Sequence, residues 1–199
     1  AGHGERIDSE IELIRKMPGT DVFCIIEKQI SEWNNDITPW PAAAVFGRDD
    51  FGDGAAKTFS QITEESIPEA EERYPSEEKC RYFLCGYSLA GLFSLWAAYN
   101  TDVFSGVAAV SPSVWYPGWI KYAGEHDVIP GVKVYLSLGD KEERTKNPVM
   151  RTVGEAIRDQ YRILQDKGTE STLEFNPGHH FADVDMRMAK GIVWLLKQN

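Results

Sequence analysis

Short apolar runs alternate with amphipathic stretches along most of this chain. The apolar runs have the length and residue types of buried strands, and the stretches between them repeat apolar residues every three or four positions, which is typical of helices. Pro18-Gly19 and Gly168 are among the stop signals between them. The pattern predicts strands at residues 22–26, 81–85, 106–110, 132–138 and 173–175, and helices at residues 6–17, 57–74 (kinked at Pro68), 89–99, 119–125, 147–167 and 183–197.

The order of these elements indicates the fold class. Strand followed by helix, repeated five times, predicts an α/β fold with a mostly parallel sheet, right-handed crossovers and helices on both faces. A chain of 199 residues suits a single domain, residues 1–199, with little length left for a separate lid domain. The long connection at residues 31–54 is rich in Trp, Pro, Asp and Gly, and its aromatic residues argue against disorder.

Composition narrows the class of partner. Acidic residues outnumber basic ones by 31 to 21, for a net charge of −10, which argues against a nucleic-acid groove or an anionic membrane surface. No apolar run approaches the roughly 18 residues of a membrane span, and no secretory signal is expected. Cys24, Cys80 and Cys85 are odd in number, and two of them lie in predicted strands. We therefore expect reduced core thiols in a cytoplasmic protein.

A serine stands at an unusually tight junction between a predicted strand and a predicted helix. The stretch RYFLCGYSLAGLFSLWAAYN, residues 81–100, leaves almost no room for a loop, so Ser88 would project from the end of the strand. Gly86 and Ala90 are small, as is required where strand and helix nearly touch. Ser88 is either a polar residue in a tight turn or a nucleophile, and the strand-turn-helix context favours the nucleophile.

Two other strand ends carry the groups that a serine nucleophile needs. Its hydroxyl becomes reactive when an imidazole removes the proton, and a carboxylate orients that imidazole. The carboxyl ends of parallel strands meet at one edge of a sheet, and the order serine, acid, histidine is that of α/β-hydrolases. The backbone N–H of Leu89 could donate to the oxyanion. Residue pattern alone leaves both partners open: the acid among Asp140, Glu142 and Glu143, and the base between His179 and His180.

Several motifs carry a family resemblance in combination. GYSLAGLFSLWAAYN, SPSVWYPGW, YLSLGDKEE and PGHHF, preceded by NDITPWP and SIPEAEERYP, resemble the enterochelin esterase and S-formylglutathione hydrolase-like group, called the putative esterase family. The resemblance runs from about Val22 to the C-terminus. It implies an α/β-hydrolase-like three-layer sandwich, cleavage of carboxylic esters or thioesters, and no cofactor.

The resemblance also assigns roles to individual residues. Ser88 matches the family nucleophile, Glu142 matches the acid three residues after Gly139, and His180 before Phe181 matches the base. The family begins with a further strand ending in His-Gly, whose loop offers a second oxyanion donor, and this chain starts where that strand should have ended. The second donor is then expected from the segment 2–4 or from the loop 31–40.

The remaining expectations concern ligands and alternatives. Trp33, Trp40, Trp115 and Tyr116 lie in connections near strand ends, where they would form either core or the wall of a pocket for a small-molecule ester. No metal site is expected at His179 and His180, because adjacent histidines seldom chelate one ion. A degenerate hydrolase fold that binds a ligand or partner without turnover is the alternative, and an acyltransferase would use the same residues. The sequence does not indicate the oligomeric state.

Overall fold

A four-stranded parallel sheet lies at the centre of the protein. The computed structural model describes residues 7–17, 23–77 and 79–198. In this part of the chain the strands follow one another across the sheet in sequence order, and each pairs in parallel with the next. All four carboxyl ends therefore share one edge. The strands are β1 (Tyr82–Tyr87), β2 (Phe104–Val110), β3 (Lys133–Gly139) and β4 (Ser171–Asn176).

Helices cover both faces of this sheet. In β2, Val107 and Ala109 belong to the large apolar cluster under the helices at residues 89–100 and 153–166, whereas Ala108 and Val110 belong to the cluster under the helix at residues 184–196. Since both faces are buried, the strands are almost continuously apolar. The helices are α1 (Asp8–Lys16), α2 (Trp33–Asp36), α3 (Ala55–Gln61), α4 (Ile67–Arg73), α5 (Leu89–Asn100), α6 (Trp119–Glu125), α7 (Val153–Asp166) and α8 (Val184–Leu196). The predicted three-layer α/β sandwich with a parallel sheet is confirmed.

Several local predictions are confirmed as well. The helix predicted at residues 57–74 is one helical stretch in which a π-helical turn, Ile62–Ser66, joins α3 to α4. The irregular turn precedes Pro68. Proline lacks the N–H that a regular helical hydrogen bond needs, and its ring clashes with the preceding turn, so a regular turn is disfavoured there. The side chain of Asn147 accepts the backbone N–H groups of Val149 and Met150, as a helix cap should, but the turn that follows, Met150–Thr152, is 3-10, and α7 begins only at Val153, later than the predicted start at residue 147. Gly168 follows α7 with φ +73°, a left-handed stop.

The strand predicted at residues 22–26 is wrong for the residues that the structure describes; Val22 lies outside them. Residues 23–30 form no strand. Phe23 and Ile25 pack against the small cluster between α1 and α8, while Cys24 and Ile26 are exposed, the latter by 46%. Burial thus alternates along this apolar run, and its less exposed side chains pack against helices. Of the two cysteines expected in buried strands, only Cys85 lies in one, where burial raises the pKa of its thiol to about 12.

The connection at residues 31–54 is ordered, as its aromatic content predicts. The Thr38 hydroxyl donates to the carbonyl oxygen of Asn34 at 2.8 Å, and Ala42 forms an antiparallel bridge with Phe51. Trp40 stacks on Trp119 with ring centroids 6.2 Å apart. These contacts hold the connection against the segment that follows β2. In the described part of the chain, no helix is long and apolar enough to cross a membrane.

Candidate active site

Ser88 occupies a strained turn between β1 and α5. Its φ of +59° and ψ of −119° lie in a region that side-chain-bearing residues rarely adopt, at a cost of about 1–3 kcal/mol. The turn is tight because strand and helix touch: a Cβ on Gly86 would lie 2.1 Å from the carbonyl oxygen of Ala90. A Cβ on Gly91 would lie 3.1 Å from the carbonyl oxygen of Gly86. Small residues on both sides therefore permit the conformation that presents the Ser88 hydroxyl.

An imidazole lies within hydrogen-bond reach of this hydroxyl. Nε2 of His180 is 3.2 Å from Oγ of Ser88, and Nδ1 is 2.7 Å from Oε2 of Glu142. A carboxylate can only accept, so Nδ1 carries the proton and Nε2 presents its lone pair to the serine hydroxyl. The sheet thus brings Ser88, Glu142 and His180 together from the ends of β1, β3 and β4.

The loop that carries His180 is held by the loop after β3. Gly178, with φ +110°, donates its N–H to Oδ1 of Asp140 at 2.8 Å, and its carbonyl accepts the Lys141 N–H at 3.0 Å. A Cβ on Gly139 would lie 2.5 Å from the carbonyl oxygen of Gly178, so the two loops are in direct contact. Asp140 therefore supports the histidine loop and does not contact the imidazole. His179 is exposed, and its Nδ1 accepts the backbone N–H of Phe181.

The Glu142 carboxylate is buried and charged. Its Oε1 accepts three hydrogen bonds: from the Ser111 hydroxyl at 2.6 Å, the Gly139 N–H at 2.7 Å and Nη2 of Arg187 at 2.8 Å. Burial raises the pKa of this carboxyl, but the bonds from His180, Ser111 and Arg187 outweigh burial and lower the pKa from 4.5 to about 2. Glu142 is therefore ionised at any pH where His180 could act as a base.

Three residues around Glu142 were missed by the sequence-based prediction. Arg187 on α8 is 1% exposed and also donates to the Tyr87 hydroxyl at 2.9 Å. Tyr87 donates in turn to the carbonyl oxygen of His180, and Ser111, at φ +44°, follows β2. One signal was available: Arg187 falls on the face of the closing helix that also carries Gly191 and Leu195, where an arginine needs a buried partner.

The predicted oxyanion donor, the Leu89 N–H, belongs to the first turn of α5. N–H groups there have no acceptor within the helix, and the positive end of the helix dipole adds to their field. The role of Leu89 stays a prediction. The source of the second oxyanion donor also stays a prediction. Residues 2–4 lie outside the described residues. The loop 31–40 packs against the segment after β2, where Nε1 of Trp40 donates to the carbonyl oxygen of Pro117 at 2.8 Å.

The four aromatic residues predicted to line a pocket differ in burial. Trp115 and Tyr116 are buried in the large core cluster, and the Tyr116 hydroxyl donates to the carbonyl oxygen of Trp40 at 2.5 Å. Trp33 and Trp40 are half-buried against the same cluster. The segment that carries Trp115 adjoins the nucleophile, since the Ser113 N–H donates to the Ser88 carbonyl at 3.0 Å. Contact with a substrate stays a prediction for all four.

Metal coordination finds no support in the side chains that the structure describes. Among these residues no group of three or more His, Cys, Asp or Glu side chains could hold an ion. Asp183, which follows the two histidines, precedes α8 in a left-handed conformation with φ +48°. Asp140 and Gly178 satisfy one another within their loops.

Comparison with known proteins shows to which family this geometry belongs. The protein YbbA of Bacillus subtilis (strain 168), described as uncharacterized, is 29% identical over 174 residues, covering 83% of this chain and 70% of YbbA. Among solved structures, the siderophore hydrolase EstA from Aspergillus nidulans is similar with a TM-score of 0.72 at 20% identity, over 94% of this chain and 77% of EstA. The siderophore hydrolase EstB from the same organism is similar with a TM-score of 0.66 at 19% identity, over 82% of this chain.

The chain spans 63% of the length of EstB, and at such identities both structural likenesses show the fold alone. The family follows from the sequence itself. The profile described as "Putative esterase" matches residues 20–194, which is most of the chain and includes Ser88, Glu142 and His180. This protein belongs to the Putative esterase family.

Proposed function

We propose that this protein is a serine hydrolase that cleaves a small carboxylic ester or thioester through an acyl-enzyme on Ser88. His180 is the general base and Glu142 the acid that orients it. The observation that carries the proposal is the continuous hydrogen-bonded chain from the Ser88 hydroxyl through the imidazole to the buried Glu142 carboxylate. Membership of an esterase family supports the same reaction class.

The first half-reaction transfers the acyl group to the enzyme. Nε2 of His180 takes the Ser88 proton as Oγ forms a bond to the ester carbonyl carbon, and the carbonyl π electrons move to oxygen. The Leu89 N–H at the start of α5 is the donor proposed for this oxyanion, and removal of one such donor typically costs about 3–4 kcal/mol of barrier. The imidazolium then protonates the leaving alcohol or thiol as its bond to carbon breaks.

The second half-reaction frees the enzyme. Water takes the place of the leaving group, His180 accepts a proton from it, and the hydroxide oxygen bonds to the acyl carbon. Collapse of the oxyanion breaks the bond to Ser88, which recovers its proton from His180. Throughout, the charge of Glu142 stabilises the imidazolium, and the low pKa of Glu142 keeps that charge in place.

The surroundings of Ser88 favour a small or aromatic ester. The aromatic connection 31–54 and the segment 113–119 lie against each other next to the nucleophile. The ring of Phe181, 79% exposed, lies 5.0 Å from the imidazole of His180 and could contact a substrate there. EstA and EstB bear the name siderophore hydrolase, but at about 20% identity they support the fold rather than a substrate.

A fluorophosphonate probe tests the proposal, because it reacts readily with a serine activated by a neighbouring base and not with an ordinary serine hydroxyl. We expect stoichiometric labelling of the wild type and none of Ser88→Ala. Ser113→Ala is the matched control and should be labelled like the wild type. Oγ of Ser113 lies 3.4 Å from Oγ of Ser88, but the imidazole bonds to Ser88. Labelling that survives Ser88→Ala would refute Ser88 as the nucleophile. A wild type that resists the probe and every ester would refute the hydrolase and favour a non-catalytic binding module.

A further inference from the structure

Arg187 contacts the candidate active site through the buried carboxylate of Glu142. It lies on α8, on the face of the sheet opposite α5, and its guanidinium is buried beneath Glu142. Nη2 donates to Oε1 of Glu142 at 2.8 Å and also to the Ser111 hydroxyl, while Nη1 donates to the Tyr87 hydroxyl at 2.9 Å. Since it is 1% exposed and lies beneath the acid, Arg187 does not contact a substrate.

The two oxygens of Glu142 have separate tasks. Oε2 faces Nδ1 of His180, whereas Oε1 accepts from Arg187, the Ser111 hydroxyl and the Gly139 N–H. Three donors on one oxygen fix the plane of the carboxylate, so the other oxygen is aimed at the imidazole. One of these donors is a side chain with a full positive charge, which the other two do not supply.

Arg187 is also connected to the backbone of the histidine. Its Nη1 donates to the Tyr87 hydroxyl, and this hydroxyl donates to the carbonyl oxygen of His180. The ring of Tyr87 lies 5.3 Å from the imidazole ring. The Arg187 guanidinium thus bonds to the acid through Nη2, and through Nη1 and the Tyr87 hydroxyl it is linked to the backbone of the base.

We infer that Arg187 is a positioning residue for ester cleavage: it holds the Glu142 carboxylate in the orientation that aligns His180 with Ser88, and it offsets the carboxylate charge. The inference rests on the proposed function. In this arrangement the imidazole faces a buried Glu142–Arg187 pair that carries almost no net charge. Without Arg187 it would face an uncompensated carboxylate.

This charge arrangement has a measurable consequence. Removal of the guanidinium leaves the full Glu142 charge on the imidazole, which favours the protonated, inactive base, so the acid limb of the pH–rate profile should move to higher pH. The charge of Glu174 on β4 should not change this shift of the acid limb, because Lys190 on α8 already compensates it. Glu174 also accepts a hydrogen bond from the Tyr135 hydroxyl at 2.7 Å. The ring of Tyr87, 5.3 Å from the imidazole ring, carries no charge because burial raises the pKa of its hydroxyl.

The test compares Arg187→Met, Arg187→Lys and the matched control Arg162→Met, an exposed arginine on α7 paired with Asp159 at 2.7 Å. Turnover of p-nitrophenyl acetate is measured from pH 5 to 9 and divided by the folded fraction from near-UV circular dichroism. For Arg187→Met we expect kcat to fall about tenfold, KM to change less than about twofold, and the acid-limb midpoint to rise by at least about half a pH unit. Arg187→Lys should restore the midpoint and part of kcat, and Arg162→Met should match the wild type.

An unchanged midpoint with wild-type kcat per folded molecule, or a midpoint that falls, overturns the inference. If Arg187→Met fails to fold, the same question is put in the Glu142→Gln background, where the uncompensated carboxylate is absent. There, adding Arg187→Met should change kcat less than about twofold if Arg187 acts through the carboxylate; a loss that stays about tenfold refutes it. If the wild type shows neither turnover nor labelling of Ser88, both the proposed function and this role of Arg187 are refuted. If the wild type is active but Arg187→Met matches it, only the role of Arg187 is refuted.

Discussion

The most informative perturbation of the candidate site is Glu142→Gln, measured as a change in stability with pH. The carboxyl has a pKa of about 2 in the folded protein against a usual value of 4.5. A depressed folded-state pKa stabilises the protein at pH values above the unfolded pKa, and the contribution is lost as the pH falls towards the folded pKa. The window in which Glu142 matters is therefore about pH 5 down to about pH 2.

The magnitude follows from the two pKa values. Their difference corresponds to a contribution of about 3 kcal/mol at neutral pH, of which about 1 kcal/mol is lost by pH 4 and about 2 kcal/mol by pH 3. Glu142→Gln cannot titrate, so it lacks this part of the pH dependence. At neutral pH the variant is also destabilised, because Arg187 keeps its buried charge without a carboxylate, and broken buried pairs typically cost about 3–5 kcal/mol.

Urea unfolding from pH 7 to pH 3 measures this difference. We expect the gap in unfolding free energy between the wild type and Glu142→Gln to narrow by about 1 kcal/mol at pH 4 and about 2 kcal/mol at pH 3. Glu143→Gln is the matched control, since its side chain is 46% exposed and pairs with Arg158 at 3.5 Å on the surface. Its curve should run parallel to that of the wild type. A gap for Glu142→Gln that stays constant from pH 7 to pH 3 would refute the assigned charge state.

Three further predictions concern ester hydrolysis, the first two measured with p-nitrophenyl acetate. Activity should collapse in His180→Ala and largely survive in His179→Ala, because only His180 bonds to both Ser88 and Glu142; the opposite pattern would show that the wrong histidine was chosen. Glu142→Gln should keep detectable activity well below wild type, whereas Asp140→Asn should keep most of it, because an amide oxygen can still accept the Gly178 N–H; the reverse order would move the acid to Asp140. Across acyl lengths, turnover should favour short-chain and aryl esters, and a steady rise beyond about eight to ten carbons would contradict an aromatic site of limited apolar coverage.

The junction around Ser88 could be predicted because its cause is local. Strand, small residues, serine and helix are contiguous in the sequence, and the close approach of Gly86 to Ala90 is what such a junction requires. The meeting of Ser88, Glu142 and His180 could also be anticipated, since parallel strands end at one edge of a sheet. The choice of Glu142 and His180 over their neighbours came from family resemblance, because residue pattern alone did not separate them.

The parts that could not be predicted depend on distant contacts or on competition between partners. Arg187 meets Tyr87 and Glu142 across 100 and 45 residues of sequence, and no local pattern encodes such pairings. The strand predicted at 22–26 failed because a short apolar run can be buried against helices as well as in a sheet, and Ile25 packs against helices. Burial of Trp115 likewise follows from its contacts with the connection 31–54, which composition does not reveal.

The formation of an acyl-enzyme on Ser88 is tested most simply by trapping it. p-Nitrophenyl acetate is mixed rapidly with the protein, quenched in acid, and the digested chain is mapped by mass spectrometry. We expect one acetyl group per chain, on the peptide that contains Ser88, formed as fast as p-nitrophenol appears in the first turnover and absent from Ser88→Ala. Turnover of the ester with no acetyl group on Ser88 at any quench time, or with the acetyl group on another residue, would contradict it.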